Sequence, residues 1–255
     1  MSEVTWAHLS QIIMRSNTLR SASRLVLNDT YIGRISSMIA SLKLRKAAVK
    51  CRSIKSYVNL AYSFRLVHIS IRPAQVKEEI IQLLKVLKKL QPMIVCEIGT
   101  AGGGTLFLFS RVSHPNATII SIDLLGGPFG GGYPKWKTPL YKHFAYSRQR
   151  IHLIRGNSHA LNTIKKVEKI LAGRKLDFLF IDGDHTYEGV KADFEDYSKL
   201  VSPGGIVAFH DIVPHPPETK CEVSKFWNEI KYSYDHLEIV KDWSQNWAGI
   251  GVIYI

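Results

Sequence analysis

Four short segments of this chain gather residue types that can do chemistry. The richest reads Phe178-Leu179-Phe180-Ile181-Asp182-Gly183-Asp184-His185, an apolar run that ends in two carboxylates and an imidazole. Further along, Pro203-Gly204-Gly205 precedes a second apolar run that ends in His210-Asp211. If both runs are parallel strands, their carboxyl ends lie on one sheet edge, where ligand sites form. Asp182, His210 and Asp211 could then meet around a Mg2+- or Mn2+-type octahedral ion. The alternative is that Asp182 and Asp184 cap the next helix and His210 is a core histidine.

Upstream lies Glu97-Ile98-Gly99-Thr100-Ala101-Gly102-Gly103-Gly104-Thr105, with Asp123 closing the next apolar run. Glycines after a strand allow a tight turn and close approach of a ligand to the backbone. Ala101 breaks the dinucleotide pattern GxGxxG, and a Walker loop would need a terminal GK[ST]. Asp123 is placed to accept both hydroxyls of a ribose, or to cap a loop. Gly156-Asn157-Ser158-His159 falls where an adenine edge would need partners, although Ser158 serves equally as a helix cap.

These segments need a frame, and the apolar pattern supplies one. From Val76 to Leu90 apolar residues recur at helical spacing, between Pro73 and Pro92. Strand patterns then alternate with helix patterns: strands at 93–98, 117–123, 151–155, 176–181 and 205–210, and helices at 106–113, 160–171, 190–200 and 225–232. Two closing strands, 237–240 and 249–255, follow with no helix between them, as an antiparallel pair would. The prediction is an α/β fold: a doubly wound, mostly parallel, seven-stranded Rossmann-like sheet with an antiparallel C-terminal edge. Residues 1–72 form a basic extension of two or three helices, and residues 73–255 form the ligand-binding domain.

Composition agrees with a globular protein, 45% hydrophobic and 22% charged. There is no apolar stretch of about 18 residues to span a membrane, and the first residues do not read as a secretory signal. Cys51, Cys96 and Cys221 lie far apart without CxxC spacing. That argues against a disulfide framework or cysteine zinc site, and fits a reducing cytoplasm. The net charge is +13, and residues 1–72 carry twelve Lys and Arg against Glu3 and Asp29. Such an extension is a solvated basic surface, or it contacts an anionic membrane or an acidic partner. No nucleic-acid signature accompanies it, so nucleic acid is not expected. A helical extension of this size could also serve a homo-oligomer.

Taken together, the runs E-I-G-T-A-G-G-G-T, I-D, G-N-S, F-I-D-G-D-H-T-Y-E-G and P-G-G-I-V-A-F-H-D occur in the order found in class I S-adenosylmethionine-dependent methyltransferases. Residues 73–255 most resemble the branch of macrocin- and rhamnosyl-type O-methyltransferases and of proteins labelled cephalosporin hydroxylase. The resemblance implies S-adenosylmethionine as cofactor, with Glu97 and the loop Gly99, Thr100, Gly102 and Gly103 at its methionine part. Asp123 would hold the ribose, and Ser158 and His159 would flank the adenine. Asp182, also counted with the cofactor residues, matches a family metal ligand, as does Asp211. His210 stands where metal-dependent relatives often have an acid, and Ile212 where catechol relatives have Asn.

The activity so implied is transfer of a methyl group to a hydroxyl, as on a sugar or a glycosylated small molecule, assisted by Mg2+. Asp184 or His185 would take the hydroxyl proton, His185 being favoured because imidazole titrates near neutrality. Phe129, Tyr133 and Trp136 in the glycine-rich loop 126–136 would form an aromatic lid or a packed loop. Trp243, Gln245 and Trp247 would line an acceptor pocket or pack. The competing readings are a nicotinamide oxidoreductase, a metal-dependent hydrolase, or a non-catalytic cofactor-binding assembly protein. Ala101 and the closing strand pair argue against the first.

Overall fold

Strand–helix alternation after residue 92 produces one seven-stranded sheet in the computed structural model, which describes residues 31–255. The strands in this sheet are β3 (Ile94–Ile98), β4 (Thr118–Asp123), β5 (Arg150–Arg155), β6 (Leu176–Ile181), β7 (Val201–His210), β8 (His236–Ile239) and β9 (Ile250–Tyr254). Their order is β5-β4-β3-β6-β7-β9-β8. The first five run parallel, and β9 pairs antiparallel with both β7 and β8. The order reverses between β3 and β6, the crevice where doubly wound sheets bind ligands.

Alternation along the strands fills both faces. Val95, Ile119, Phe178 and Phe180 face one core layer, and Cys96, Ile120, Leu179 and Ile181 face the other. The first layer is covered by α3 (Lys77–Leu90) and α4 (Gly104–Val112), the second by α6 (Leu161–Leu171), α7 (Tyr187–Tyr197) and α8 (Val223–Ile230). Each fully buried Phe or Leu contributes about 2 kcal/mol of transfer free energy, so the sheet is fixed by its two apolar layers. α3 ends at Gln91 in a left-handed conformation before Pro92.

Residues 1–30 of the expected extension lie outside the described residues. The rest of it forms α1 (Tyr31–Ala48), α2 (Ile54–Ser63) and a short hairpin of β1 (Arg65–Leu66) and β2 (Ile69–Ser70) that the sequence pattern does not show. Ala40, Leu44, Val58 and Ala61 share one core layer with Phe107 on α4, so residues 31–72 pack as part of the domain. Another short helix, α5 (Thr138–Lys142), was also not expected; it follows the glycine-rich loop and packs on α1. Among the described residues no helix is long and apolar enough to cross a membrane.

Candidate active site

The site is a cavity of about 400 Å³ at the carboxyl ends of β3, β4, β6 and β7. Backbone bonds hold these ends together: Gly99 N–H donates to Ile122 O at 2.8 Å and Asp182 N–H to Ile98 O at 2.9 Å. Gly99 has φ +98, and a Cβ there would overlap the Asp182 carbonyl oxygen. The glycine therefore sets how closely the β3 turn approaches the end of β6.

Asp123 lies beside that turn, 5% exposed. Its Oδ2 accepts from Ala101 N–H at 2.7 Å and its Oδ1 from Gly132 N–H at 2.9 Å. Burial raises its pKa, and these backbone donors oppose the rise. Asp123 thus joins the two glycine loops while its carboxylate borders the cavity, as do Gly99 and Ala101. Thr100, Gly102 and Gly103 form the turn behind it and do not line the cavity.

Glu97 sits deeper and is fully buried. It accepts from Thr105 Oγ1, and from Ser121 Oγ at 2.7 Å. Burial pushes its pKa up to about 8 despite these bonds. The neutral acid is thus favoured in the fold, and wild-type stability is lost as pH rises from the unfolded carboxyl value of about 4.3 toward about 8. Glu97→Gln removes that dependence. The melting temperature of Glu97→Gln relative to wild type is expected to rise between pH 5 and pH 8 and level off above; a constant difference would show that Glu97 is charged in the fold.

Asp182, His210 and Asp211 converge on the cavity wall. His210 Nδ1 is 3.0 Å from Asp182 Oδ1 and 3.2 Å from Asp211 Oδ2. A donor separation near 3 Å is what two bonds of about 2.1 Å at right angles require. One donor atom from each residue lies within 4.8 Å of the others, so the three fit a single divalent cation. Burial alone would favour a neutral His210, but Asp211 and Asp182 hold its pKa well above the ordinary value. Burial likewise opposes ionised Asp211, yet His210 and His185 hold it well below the usual carboxylate range. Asp211 adopts φ +66, and its Oδ1 accepts from Ala248 N–H at 3.0 Å.

His185 Nδ1 lies 2.7 Å from Asp211 Oδ2. Burial would lower its pKa, but contacts with Asp211 and Cys221 push it up to about 10. The neutrality argument for His185 as base therefore fails in this arrangement, because a protonated imidazole cannot accept a proton. Asp184 also lines the cavity, but its Oδ1 accepts from Thr186 N–H at 3.0 Å and Thr186 Oγ1 at 2.8 Å. Thr186 caps α7, so Asp184 supports the helix start as well as facing the site.

Ser158 and His159 line the far side of the cavity, and His159 Nε2 is 3.2 Å from the fully buried Asp193. Bonding to Asp193 raises the His159 pKa. The glycine-rich loop divides its aromatics. Phe129 packs on His185 with ring centroids 5.0 Å apart, whereas Tyr133 and Trp136 are buried in the core. Trp247 borders the cavity, Trp243 is half exposed and outside it, and Gln245 bonds Glu79 at 2.9 Å.

Three residues at the site carry no sequence signal that singled them out. Gln75 Nε2 donates to Asp182 Oδ2 at 2.7 Å. His215 Nε2 lies 3.2 Å from Asp211 Oδ1, one helical turn on in sequence spacing but within a proline-rich loop. Cys221 joins His185 and Asp211 in a second group of donors within 4.8 Å of one another. The thiols of Cys51, Cys96 and Cys221 are free.

Residues 96–212 match the family model of a methyltransferase domain. An uncharacterised protein of Acanthamoeba polyphaga mimivirus is 37% identical over 155 residues, which cover 59% of this chain and 67% of that protein. Another, from Sinorhizobium fredii, is 27% identical over 147 residues; the match covers 55% of this chain and only 15% of that protein. Among solved structures, an O-methyltransferase from Bacillus cereus in complex with S-adenosylhomocysteine superposes with TM-score 0.53 at 17% identity. That match covers 81% of this chain and 93% of the other. The O-methyltransferase TomG from Streptomyces achromogenes, involved in tomaymycin synthesis and solved with S-adenosylmethionine, gives 0.52 at 17% identity, covering 81% and 91%. Residues 96–212 thus match a methyltransferase domain, and the fold of the whole sheet is that of the solved O-methyltransferases on which it superposes.

Proposed function

We propose that the protein transfers a methyl group from S-adenosylmethionine to a hydroxyl of a sugar or glycosylated small molecule, at a site that holds a divalent cation. The observation that carries this reading is the convergence of Asp182, His210 and Asp211 on one wall of the cavity bordered by Gly99 and Asp123. The likeness to the O-methyltransferases of Bacillus cereus and Streptomyces achromogenes supports oxygen as the acceptor atom, and the macrocin and rhamnosyl resemblance supports a sugar.

In this reading the oxygen–methyl bond would form as the sulfur–methyl bond breaks in line, and the hydroxyl proton would leave to Asp184. Asp182, His210 and Asp211 would hold the cation, whose charge would lower the pKa of a bound hydroxyl. The imidazole departs from the all-oxygen donor sets that suit Mg2+ and Mn2+. Gln75 orients Asp182 through its 2.7 Å bond, and His215 orients Asp211. Phe129, lying over His185, roofs the site and excludes water. Trp247 offers an aromatic face to a sugar ring.

Calorimetric titration tests the cofactor. S-adenosylmethionine and S-adenosylhomocysteine are expected to bind and NAD is not, with EDTA, Mg2+ or Mn2+ present. Asp123→Ala removes a charged acceptor and should weaken adenosyl binding by about tenfold to a hundredfold. Binding of NAD alone would overturn the methyltransferase reading, and binding of none of the three would favour an assembly role.

A further inference from the structure

α1 carries two apolar faces. One is spent inside the fold: Ala40, Ser41, Leu44 and Ala48 are buried, and Ser37 Oγ accepts from Leu140 N–H on α5 at 3.1 Å. The other points outward. Ile32, Ile35, Met38, Ile39, Leu42 and Val49 are exposed, Leu42 and Val49 each at 65%. At 100° per residue these side chains fall within one broad outward sector, opposite the buried stripe. Arg34 and Arg45 border that sector on one side, Lys43 and Lys50 on the other, and Lys46 lies within it. A surface helix with one interface to fill would be polar on its outer side.

Charge decides between occupants of this ridge. From residue 31 to 72 there are nine basic residues (Arg34, Lys43, Arg45, Lys46, Lys50, Arg52, Lys55, Arg65 and Arg72) and no Asp or Glu. A second copy would place like charges against each other across the ridge. An anionic lipid surface complements them and accepts the apolar side chains between headgroups. Just beyond the ridge, Arg52, Lys88 and Arg111 line a cavity of about 360 Å³ with Tyr57 and Tyr146, the size and charge for a phosphate-bearing headgroup.

We propose that α1 docks the protein on an anionic membrane surface, with its ridge Ile32–Leu42 and the following Val49 in the interface plane and the flanking Lys and Arg on lipid phosphates. α1 also packs on the Lys135–Lys142 segment, the stem of the loop whose Phe129 roofs the active site. Docking therefore sets α1 between the membrane and the stem of that loop. The docking stands on the ridge and its charges alone and is tested without reference to methyl transfer.

The experiment is flotation of the full-length protein with vesicles of phosphatidylcholine alone or with about 30% phosphatidylglycerol. Wild type is expected to float with the anionic vesicles only, and to be released by about 0.5 M salt. Leu42→Glu and Ile35→Glu, both at exposed positions, should each lower the bound fraction about tenfold while melting temperature and S-adenosylmethionine binding stay unchanged. Lys43→Glu with Arg45→Glu should do the same. Failure of wild type to float, or equal flotation of all variants, would overturn the proposal. A wild-type dimer in sedimentation that Leu42→Glu dissociates would assign the ridge to a second copy instead.

Discussion

Asp182→Ala is expected to lower metal-stimulated methyl transfer by about a thousandfold, roughly 4 kcal/mol of transition-state stabilisation, while leaving S-adenosylmethionine binding intact. The side chain supplies one donor to the three-residue cluster and is the partner of both Gln75 and His210. Without it, His210 and Asp211 remain as an ion pair that no longer offers two carboxylates to a cation. The cavity wall formed by Gly99, Asp123, Ser158 and His159 is untouched. Two titrations separate the effects: Mn2+ heat should vanish in the variant, and S-adenosylhomocysteine heat should remain within about threefold in affinity. Unchanged turnover would remove Asp182 from the mechanism. Gln75→Leu, which leaves the ligand but not its positioning bond, should weaken metal binding by about tenfold to a hundredfold, as loss of an orienting partner does.

Gly99→Ala is expected to produce the largest change in stability. The residue sits at φ +98, and a methyl group there would overlap the Asp182 carbonyl. A side chain in that backbone region costs about 1–3 kcal/mol, and parting two strand ends to relieve the overlap costs about as much again. A total near 4 kcal/mol corresponds to a fall in melting temperature of about 10 °C for a chain of this length. Because the displaced group is Asp182, metal binding should weaken along with stability, whereas substitutions at the exposed Gly173, where a Cβ meets nothing, test φ alone. A fall of less than about 2 °C at Gly99 would mean that the β3 turn relaxes without disturbing β6.

The opposed behaviour of Glu97 and Asp123 shows how far residue type alone can be read. Both are acids at strand ends near the glycine loop; the resemblance implies a cofactor role for both, and strand-end placement adds a ribose role for Asp123. The structure places Asp123 on the cavity, and Glu97 beneath the turn, satisfied by Thr105 and Ser121. Its contribution is to fix the loop from below. A two-residue difference in register within the pleat decides which acid meets a ligand.

By itself the sequence determined the alternation of strands and helices, the segments at their ends that carry chemistry, and the resemblance to methyltransferases. These are local properties: an apolar run sets a strand, a glycine cluster sets the turn after it, and parallel strands bring their carboxyl ends to one edge. It placed Asp182, His210 and Asp211 together for that reason. What only the tertiary structure decided are the contacts made across large sequence separations. Gln75 reaches Asp182 from a segment before the sheet, Cys221 and His215 reach Asp211's surroundings from the loop after β7, and Phe129 folds back on His185. Each lies on a loop whose path is set by packing and carries no period that pattern reading could detect. The same holds for α1: its helical repeat is plain in the sequence, but an apolar residue signals burial on either face. Only the packing of Ala40, Leu44 and Ala48 into the domain shows that Ile35 and Leu42 are left outward among lysines and arginines.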